Sequence, residues 1–139
     1  MVDTTSFYSN WTPRVLSILR AVVGFLFIWH GGQKLFGYPP APEGMMPDPL
    51  PMIIVVAGVM EFFGGLLILV GLFTRPVAFL LSGLMAAAYF MGHASGGFLP
   101  LQNGGEPAVV YCFVFLYLWF AGGGEWSLDR LVFSQNRER

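Results

Sequence analysis

A few ionisable residues lie inside long apolar segments of this sequence. The first apolar segment contains Arg20, His30 and Lys34, and the second contains Glu61. A charge at membrane depth costs about 3 kcal/mol on insertion scales, so such side chains usually face a protein interior and pair with one another. At about 100° per residue, the three basic residues share one broad face of a helix. The spacing therefore predicts that this face is turned into the protein.

Glu61 lies about ten residues after Pro51, which is ~15 Å along a helix and close to the middle of a bilayer. Glycines at positions 58, 64 and 65 share its face and allow a neighbouring helix to approach closely. By depth, either Arg20 or His30 can be its partner. We favour Arg20, because a guanidinium stays charged and binds a carboxylate with two hydrogen bonds.

Further polar residues are expected in the half of the bundle that contains Lys34. Tyr89 and His93 share a face of the third apolar segment, and Asn103 and Glu106 precede the fourth. The complete candidate set for a polar core or ligand site is Arg20, His30, Lys34, Glu61, Tyr89, His93, Asn103 and Glu106.

Three kinds of ligand are compatible with these residue types. His30, His93, Glu61 and Glu106 offer nitrogen and oxygen ligands, but their spacing matches no HExxH or ExxH motif, and we predict no metal site. Two histidines on facing helices could hold a haem. A quinone needs only aromatic walls and one or two hydrogen-bond donors. Aromatic candidates for these walls are Phe27, Trp29, Phe62, Tyr89, Phe90 and Tyr111.

Structural interpretations of the same residues stay open. A buried pair such as Arg20–Glu61 can fix helix register without binding anything. Lys34 can extend to the membrane interface, and His93 can be a satisfied residue at a helix end. Cys112 is interpreted as a packing residue, and as the single cysteine it excludes an internal disulfide or CxxC pair.

Composition indicates which solvent surrounds the chain. The 139 residues are 55% hydrophobic and 11% charged, whereas a soluble domain carries about 25% charged residues. Mean hydropathy is +0.65. The net charge of −1, without a basic block, argues against nucleic acid as a partner. The sequence therefore predicts an integral membrane protein whose partners are lipid and other membrane subunits or further copies of itself.

The expected fold is all-α, a single domain built as a transmembrane four-helix bundle. The predicted spans are 13–36, 51–73, 76–93 and 107–121, each with a proline at or near its start. The short turn at Thr74 and Arg75 makes spans two and three antiparallel neighbours. Residues 37–50 contain five prolines and predict an extended outer loop, and residues 127–133 predict a short amphipathic helix with Ser127 as N-cap.

Charge asymmetry predicts the orientation. An even number of spans places both termini on one side, together with Arg14, Arg75, Arg130, Arg137 and Arg139, whereas Lys34 lies on the other side. The positive-inside rule then predicts that both termini are cytoplasmic. Trp11, Trp126 and Trp119 are candidate interfacial anchors.

Four stretches of the chain combine glycines with polar residues in a specific pattern: RAVVGFLFIWHGGQKLFG (20–37), GVMEFFGGLLILVGLFTRPVAFLL (58–81), NGGEPAVVY (103–111) and GGGEWSLD (122–129). Together they resemble the DoxX family of small bacterial four-span membrane proteins. The resemblance extends from about Arg14 to Asp129. It implies a place in the bacterial inner membrane and motif roles at Lys34, Glu61, Arg75, Asn103, Glu106 and Asp129. It also implies that the Ser127–Asp129 element ties the tail structurally.

The resemblance also suggests functions. Some relatives are membrane subunits associated with thiosulfate:quinone oxidation, and others are linked to sulfur or oxidative-stress redox complexes. The wider group resembles thiol-redox bundles such as vitamin K epoxide reductase, whose paired cysteines are missing here. We therefore expect a membrane subunit of a quinone-linked redox system, that is, of an oxidoreductase. The alternatives are a non-catalytic accessory or scaffold subunit of a larger complex and a small-solute transporter.

Overall fold

Helices account for most of the computed structural model, which describes residues 4–133. Their bounds are α1 (Thr4–Phe36), α2 (Met52–Val70), α3 (Thr74–Ala88), α4 (Pro100–Asn103), α5 (Glu106–Ala121) and α6 (Leu128–Phe133). The stretches Thr5–Phe36, Met52–Val70 and Thr74–Gly96 are long and apolar enough to cross a membrane, and α5 is a shorter apolar helix. The prediction of an all-α transmembrane four-helix bundle is confirmed.

Two of the expected helix starts differ from the structure. Pro13 lies inside α1, which begins at Thr4 and spans 33 residues. At 1.5 Å per residue α1 is about 50 Å long, longer than the ~30 Å hydrocarbon core, so its ends extend beyond the core. Thr74 and Arg75, expected in a turn, form the first turn of α3. The chain reverses instead at 71–73, where Gly71 ends α2 with a left-handed φ of 70°.

The end of α3 departs from α-helical geometry. Residues Tyr89–His93 form a π-helical turn, and Ala94–Gly96 continue as a 3₁₀ turn. Wide π turns are rare and often occur at functional sites. Tyr89 and His93, at the two ends of this turn, both contact Asn103. The hydrophobic pattern alone predicted an uninterrupted α-helix here.

Glycines bring α1 and α2 into backbone contact. Gly24 and Gly31, two turns apart on α1, face Gly65 and Gly58 on α2. A Cβ added at Gly24 would lie 2.5 Å from the backbone nitrogen of Leu69, so no larger residue fits without separating the helices. Small residues at such a contact allow the close packing that holds helices together in lipid.

The core lies where this pair meets α3 and α5. Its fully buried side chains are Phe27 on α1, Ile68 on α2, Leu81 on α3, and Phe115 and Leu118 on α5. Phe27 and Phe115 meet edge to face, with ring centroids 4.8 Å apart. This packed centre separates the polar groups at the two ends of the bundle.

The connecting segments follow the expectations for the fold. Residues 37–51 contain no helix or strand. The C-terminal helix α6 begins after Ser127, whose Oγ accepts a hydrogen bond from the Arg130 amide at 3.3 Å, as an N-cap does. Arg137 and Arg139, counted among the basic residues at the termini, lie outside the described residues.

Candidate functional site

Lys34 and Glu61 form an ion pair between α1 and α2. The Lys34 ammonium donates to Oε1 of Glu61. The close contact of the two helices at Gly58 places the Lys34 Cβ one turn from Glu61, so the lysine stem reaches along α2 to the carboxylate. Glu61 is 2% exposed, whereas the Lys34 side chain is 22% exposed. The pair thus has one end sealed in the bundle and one end that reaches its surface.

Both groups of this pair retain unused hydrogen-bonding capacity. Oε2 of Glu61 is buried and has no hydrogen-bond partner among the described residues. The Lys34 ammonium has three donors, of which the contact with Glu61 uses one. The arrangement offers a donor and an acceptor side by side, which suits a ligand that carries a carbonyl or hydroxyl oxygen.

The prediction that Arg20 pairs with Glu61 is wrong, as is the alternative with His30. Arg20 is 2% exposed, and its side-chain hydrogen bonds within the described residues all go to backbone carbonyls. Its bonds run to Ile68 and Leu69 at 2.5 Å, to Trp126 at 2.6 Å and to Gly123 at 2.8 Å. The last carbonyls of α2 have no i+4 amide within the helix to accept from, although the Ile68 carbonyl also accepts from the Gly71 amide at 3.1 Å. They attract the guanidinium more closely than Glu61, which lies about two turns away along α2.

His30 is exposed on the side of α1, contrary to the expectation that it turns inward with Arg20 and Lys34. It lies about 80° around the helix from Arg20, whereas Lys34 lies about 40° away, so His30 falls at the margin of the face. Its ring meets Tyr111 edge to face at 5.7 Å. His30 lies one turn before Lys34 on α1 and forms no ion pair within the described residues.

The remaining outer residues form a separate cluster that shapes the loop after α3. Asn103 donates from Nδ2 to the Gly97 carbonyl at 2.7 Å, and its Oδ1 accepts from the Gly105 amide at 2.8 Å. His93 Nδ1 donates to the Asn103 carbonyl at 3.1 Å, and the Tyr89 hydroxyl donates to the Phe98 carbonyl. These contacts join the end of α3 to the segment before α5, and none of them involves Lys34 or Glu61.

Glu106 is exposed in the first turn of α5, apart from both groups. Within residues 4–133, no group of three or more His, Cys, Asp or Glu side chains is arranged to hold a metal ion. Cys112 is half-buried beside the core, where the Ser82 hydroxyl donates to its carbonyl at 2.9 Å.

Asp129 binds the start of α3 at the opposite end of the bundle. Its carboxylate accepts from the amides of Phe73 at 2.6 Å and Thr74 at 2.8 Å, and its own amide donates to Gly71. Phe73 has a φ of 51°, a left-handed conformation that non-glycine residues rarely adopt. The carboxylate therefore holds a strained turn closed. Nearby, Arg75 donates to the Trp119 carbonyl at 3.1 Å.

Sequence reasoning missed the residues that attach the C-terminal segment to α1. Ser17 is buried, donates to the Pro13 carbonyl and accepts from the Trp126 amide at 3.0 Å. Glu125 binds Arg14 at 2.9 Å and lies 3.7 Å from Arg130. The available signal was the position of Ser17 one turn before Arg20, on the same face of α1.

The comparisons with known proteins agree with this architecture. Residues 15–94 match the family model described as DoxX, which is more than half of the chain. The chain belongs to the DoxX family. The DoxX match contains the buried Arg20, the Lys34–Glu61 pair and the reversal before Arg75, whereas Asn103 and Asp129 lie beyond it.

Several DoxX-type relatives align over most of their length. A Haemophilus influenzae protein described as uncharacterized is 42% identical over 91% of this chain and 96% of its own. Two Escherichia coli proteins, the inner membrane proteins YphA and YqjF, are 32% and 30% identical over 85% and 83% of this chain and 90% and 89% of their own. No solved structure matches the chain. With its apolar helices, these relatives identify a bacterial inner membrane protein.

Proposed function

We propose that this DoxX protein is the quinone-binding membrane subunit of a redox system, and that the Lys34–Glu61 pair binds the quinone head group. The observation that carries the proposal is the unused capacity of the pair: within residues 4–133, Lys34 has ammonium donors left over beside a Glu61 Oε2 that has no hydrogen-bond partner. A quinone oxygen accepts a hydrogen bond from an ammonium, and a quinol hydroxyl donates one to a carboxylate. The two groups therefore suit both redox forms of one ligand.

Aromatic rings on the same helices support the same ligand. Phe36 and Phe62 meet edge to face at 5.4 Å, on the helices that carry Lys34 and Glu61. His30, one turn before Lys34 on α1, and Tyr111 on α5 meet edge to face at 5.7 Å. A planar ring can stack or meet edge-on with such side chains, and the surrounding lipid supplies the apolar medium that a quinone tail needs.

The chemistry divides between this chain and a partner. Conversion of a quinone to a quinol takes up two electrons and two protons. Lys34 and Glu61 can hold and pass protons at the ring oxygens, and a partner subunit that bears a redox centre supplies the electrons. The role of this chain is therefore to position the quinone at the membrane and to exchange its protons.

Equilibrium binding of a short-chain quinone analogue to the purified protein tests the proposal. We expect Lys34→Met and Glu61→Gln to weaken binding at least about tenfold, the loss of one charge-assisted hydrogen bond. The double variant Lys34→Met/Glu61→Gln removes both charges together and separates loss of binding from loss of fold. Arg14→Gln is the control, since Arg14 forms an ion pair at the other end of the bundle. Failure of the wild type to bind, or wild-type binding by a folded double variant, would refute the proposal.

An accessory role is the second candidate, and one observation favours it. Lys34 and Glu61 already neutralise each other, and Arg20 is satisfied by carbonyls, so the buried charges can serve helix register alone. In that case, the double variant would still assemble with its partner subunit and support full turnover of the complex. A turnover assay on the complex purified in mild detergent discriminates between the two roles.

We further propose that both termini face the cytoplasm. Arg14 and Arg130 share Glu125 at one end of the bundle, and Arg75 contacts the last turn of α5 at the same end. Lys34 lies towards the other end. This asymmetry is the one that orients inner membrane proteins. Reporter fusions at the C-terminus and within residues 37–50 should be active on opposite sides, and a periplasmic C-terminus would contradict the orientation.

A further inference from the structure

A cavity of about 540 Å³ lies at the arginine-bearing end of the bundle. The start of α3, the glycine turn after α5 and helix α6 surround it. Its walls are apolar at Leu16, Phe73, Pro76 and Phe133 and basic at Arg75 and Arg130. A cavity with both kinds of wall suits a ligand that is itself part apolar and part anionic.

Both arginines retain donors for such a ligand. Arg75 is exposed, and its Nη1 donates to the Trp119 carbonyl at 3.1 Å, which leaves most of the five N–H donors of a guanidinium unused. The Arg130 side chain is 56% exposed, and its Nη1 lies 3.7 Å from the Glu125 carboxylate, a loose contact. Guanidinium groups bind phosphate oxygens with two parallel hydrogen bonds.

The acidic residue in the cavity wall, Asp129, forms no ion pair with these arginines within the described residues. Both carboxylate oxygens of Asp129 accept hydrogen bonds, from the amides of Phe73 and Thr74 at the start of α3. Those amides are therefore occupied, and an anion must be bound by the arginines. Thr74 also lines the cavity, and its buried hydroxyl has no hydrogen-bond partner in the described part of the chain. The wall thus contains an unsatisfied polar group as well.

The charge around the cavity also favours an anion. Within the described residues, this end of the bundle carries Arg14, Arg20, Arg75 and Arg130 against Glu125 and Asp129, so four positive charges oppose two negative ones. Basic pockets at the ends of transmembrane helices bind the phosphate groups of anionic lipids.

We propose that this cavity binds an anionic phospholipid. The phosphate contacts Arg75 and Arg130, and an acyl chain packs along Leu16 and Phe73. The bound lipid joins α3 to the C-terminal segment, and it is independent of the quinone proposed at Lys34 and Glu61.

Native mass spectrometry of the purified protein in mild detergent tests this proposal, with phosphatidylglycerol and phosphatidylcholine of matched acyl chains as probes. We expect preferential retention of phosphatidylglycerol. Arg75→Gln and Arg130→Gln should each lower its affinity about fivefold, as expected for one basic side chain near a lipid surface, and leave phosphatidylcholine binding unchanged. Arg14→Gln is the control, because it removes the same charge from the same end without lining the cavity.

The results distinguish a bound anionic lipid from a free phosphate and from unspecific retention of lipid. Arg130→Gln loses only an exposed 3.7 Å contact, so this variant remains folded and informative if Arg75→Gln does not. Equal retention of the two lipids, or an equal loss in Arg14→Gln, would overturn the proposal. Displacement of phosphatidylglycerol by inorganic phosphate alone would assign the cavity to a free phosphate and overturn the lipid as its occupant.

Discussion

Removing Lys34 should destabilise the protein more than removing Glu61, although the two residues form one ion pair. The asymmetry follows from burial: Glu61 is 2% exposed, and the Lys34 side chain is 22% exposed. In Lys34→Met the carboxylate stays sealed in the bundle without a counter-charge. In Glu61→Gln the lysine can extend its ammonium towards the membrane interface.

The magnitudes follow from these environments. Removing one partner of a buried pair costs about 3–5 kcal/mol, and protonation of the orphaned Glu61 limits the loss in Lys34→Met to about 3 kcal/mol. Glu61→Gln should cost about 1 kcal/mol, because the amide still accepts a hydrogen bond and Lys34 regains solvation. The double variant buries no charge and should lose about 1–2 kcal/mol. The coupling energy between the two sites is then about 2 kcal/mol.

Unfolding in mixed micelles of dodecyl sulfate and a mild detergent, followed by circular dichroism, measures these free energies. Arg14→Gln serves as a control for a partly exposed pair, which contributes about 0–1 kcal/mol. Equal losses in the two single variants, or a double variant whose loss equals their sum, would refute the account of a buried pair with one accessible end.

Three further predictions concern the rest of the bundle. Arg20→Lys should lower the free energy of unfolding by about 2–4 kcal/mol, because an ammonium cannot reproduce four guanidinium bonds to carbonyls; an unchanged unfolding midpoint in the same assay would contradict this. Gly31→Ala should lower the free energy of unfolding by about 1–3 kcal/mol, because the added Cβ meets the Phe62 backbone. Gly83→Ala, which has open space around it, should raise the free energy of unfolding by about 0.5–1 kcal/mol. Equal effects of the two variants would exclude the glycine contact as the cause. Asp129→Ala should cost about 2 kcal/mol by releasing two amides at the start of α3, and hydrogen exchange at Phe73 should accelerate; unchanged exchange would contradict the role of the carboxylate.

Most of the fold could be predicted from local properties of the chain. Apolar length identified the helices, and the prolines in residues 37–50 excluded helix from that loop. Helix starts were less predictable. A proline such as Pro13 is typical of the first turn of a helix, yet α1 continues through it. The Glu125 amide in the C-terminal segment donates to the Pro13 carbonyl and stabilises this part of α1. The π turn at Tyr89–His93 has no signal in the hydrophobic pattern.

For the candidate site too, the sequence determined one part and the tertiary structure decided the other. Residue type and helical period determined that Arg20, Lys34 and Glu61 must be satisfied within the protein, because an unpaired charge in lipid is costly wherever it lies. Pairing was decided only by the tertiary structure. The glycine contact between α1 and α2 sets their register and places Lys34 beside Glu61, and the end of α2 presents its last carbonyls to Arg20. A one-dimensional depth estimate could not separate these partners, because register depends on which backbones approach, and only packing decides that.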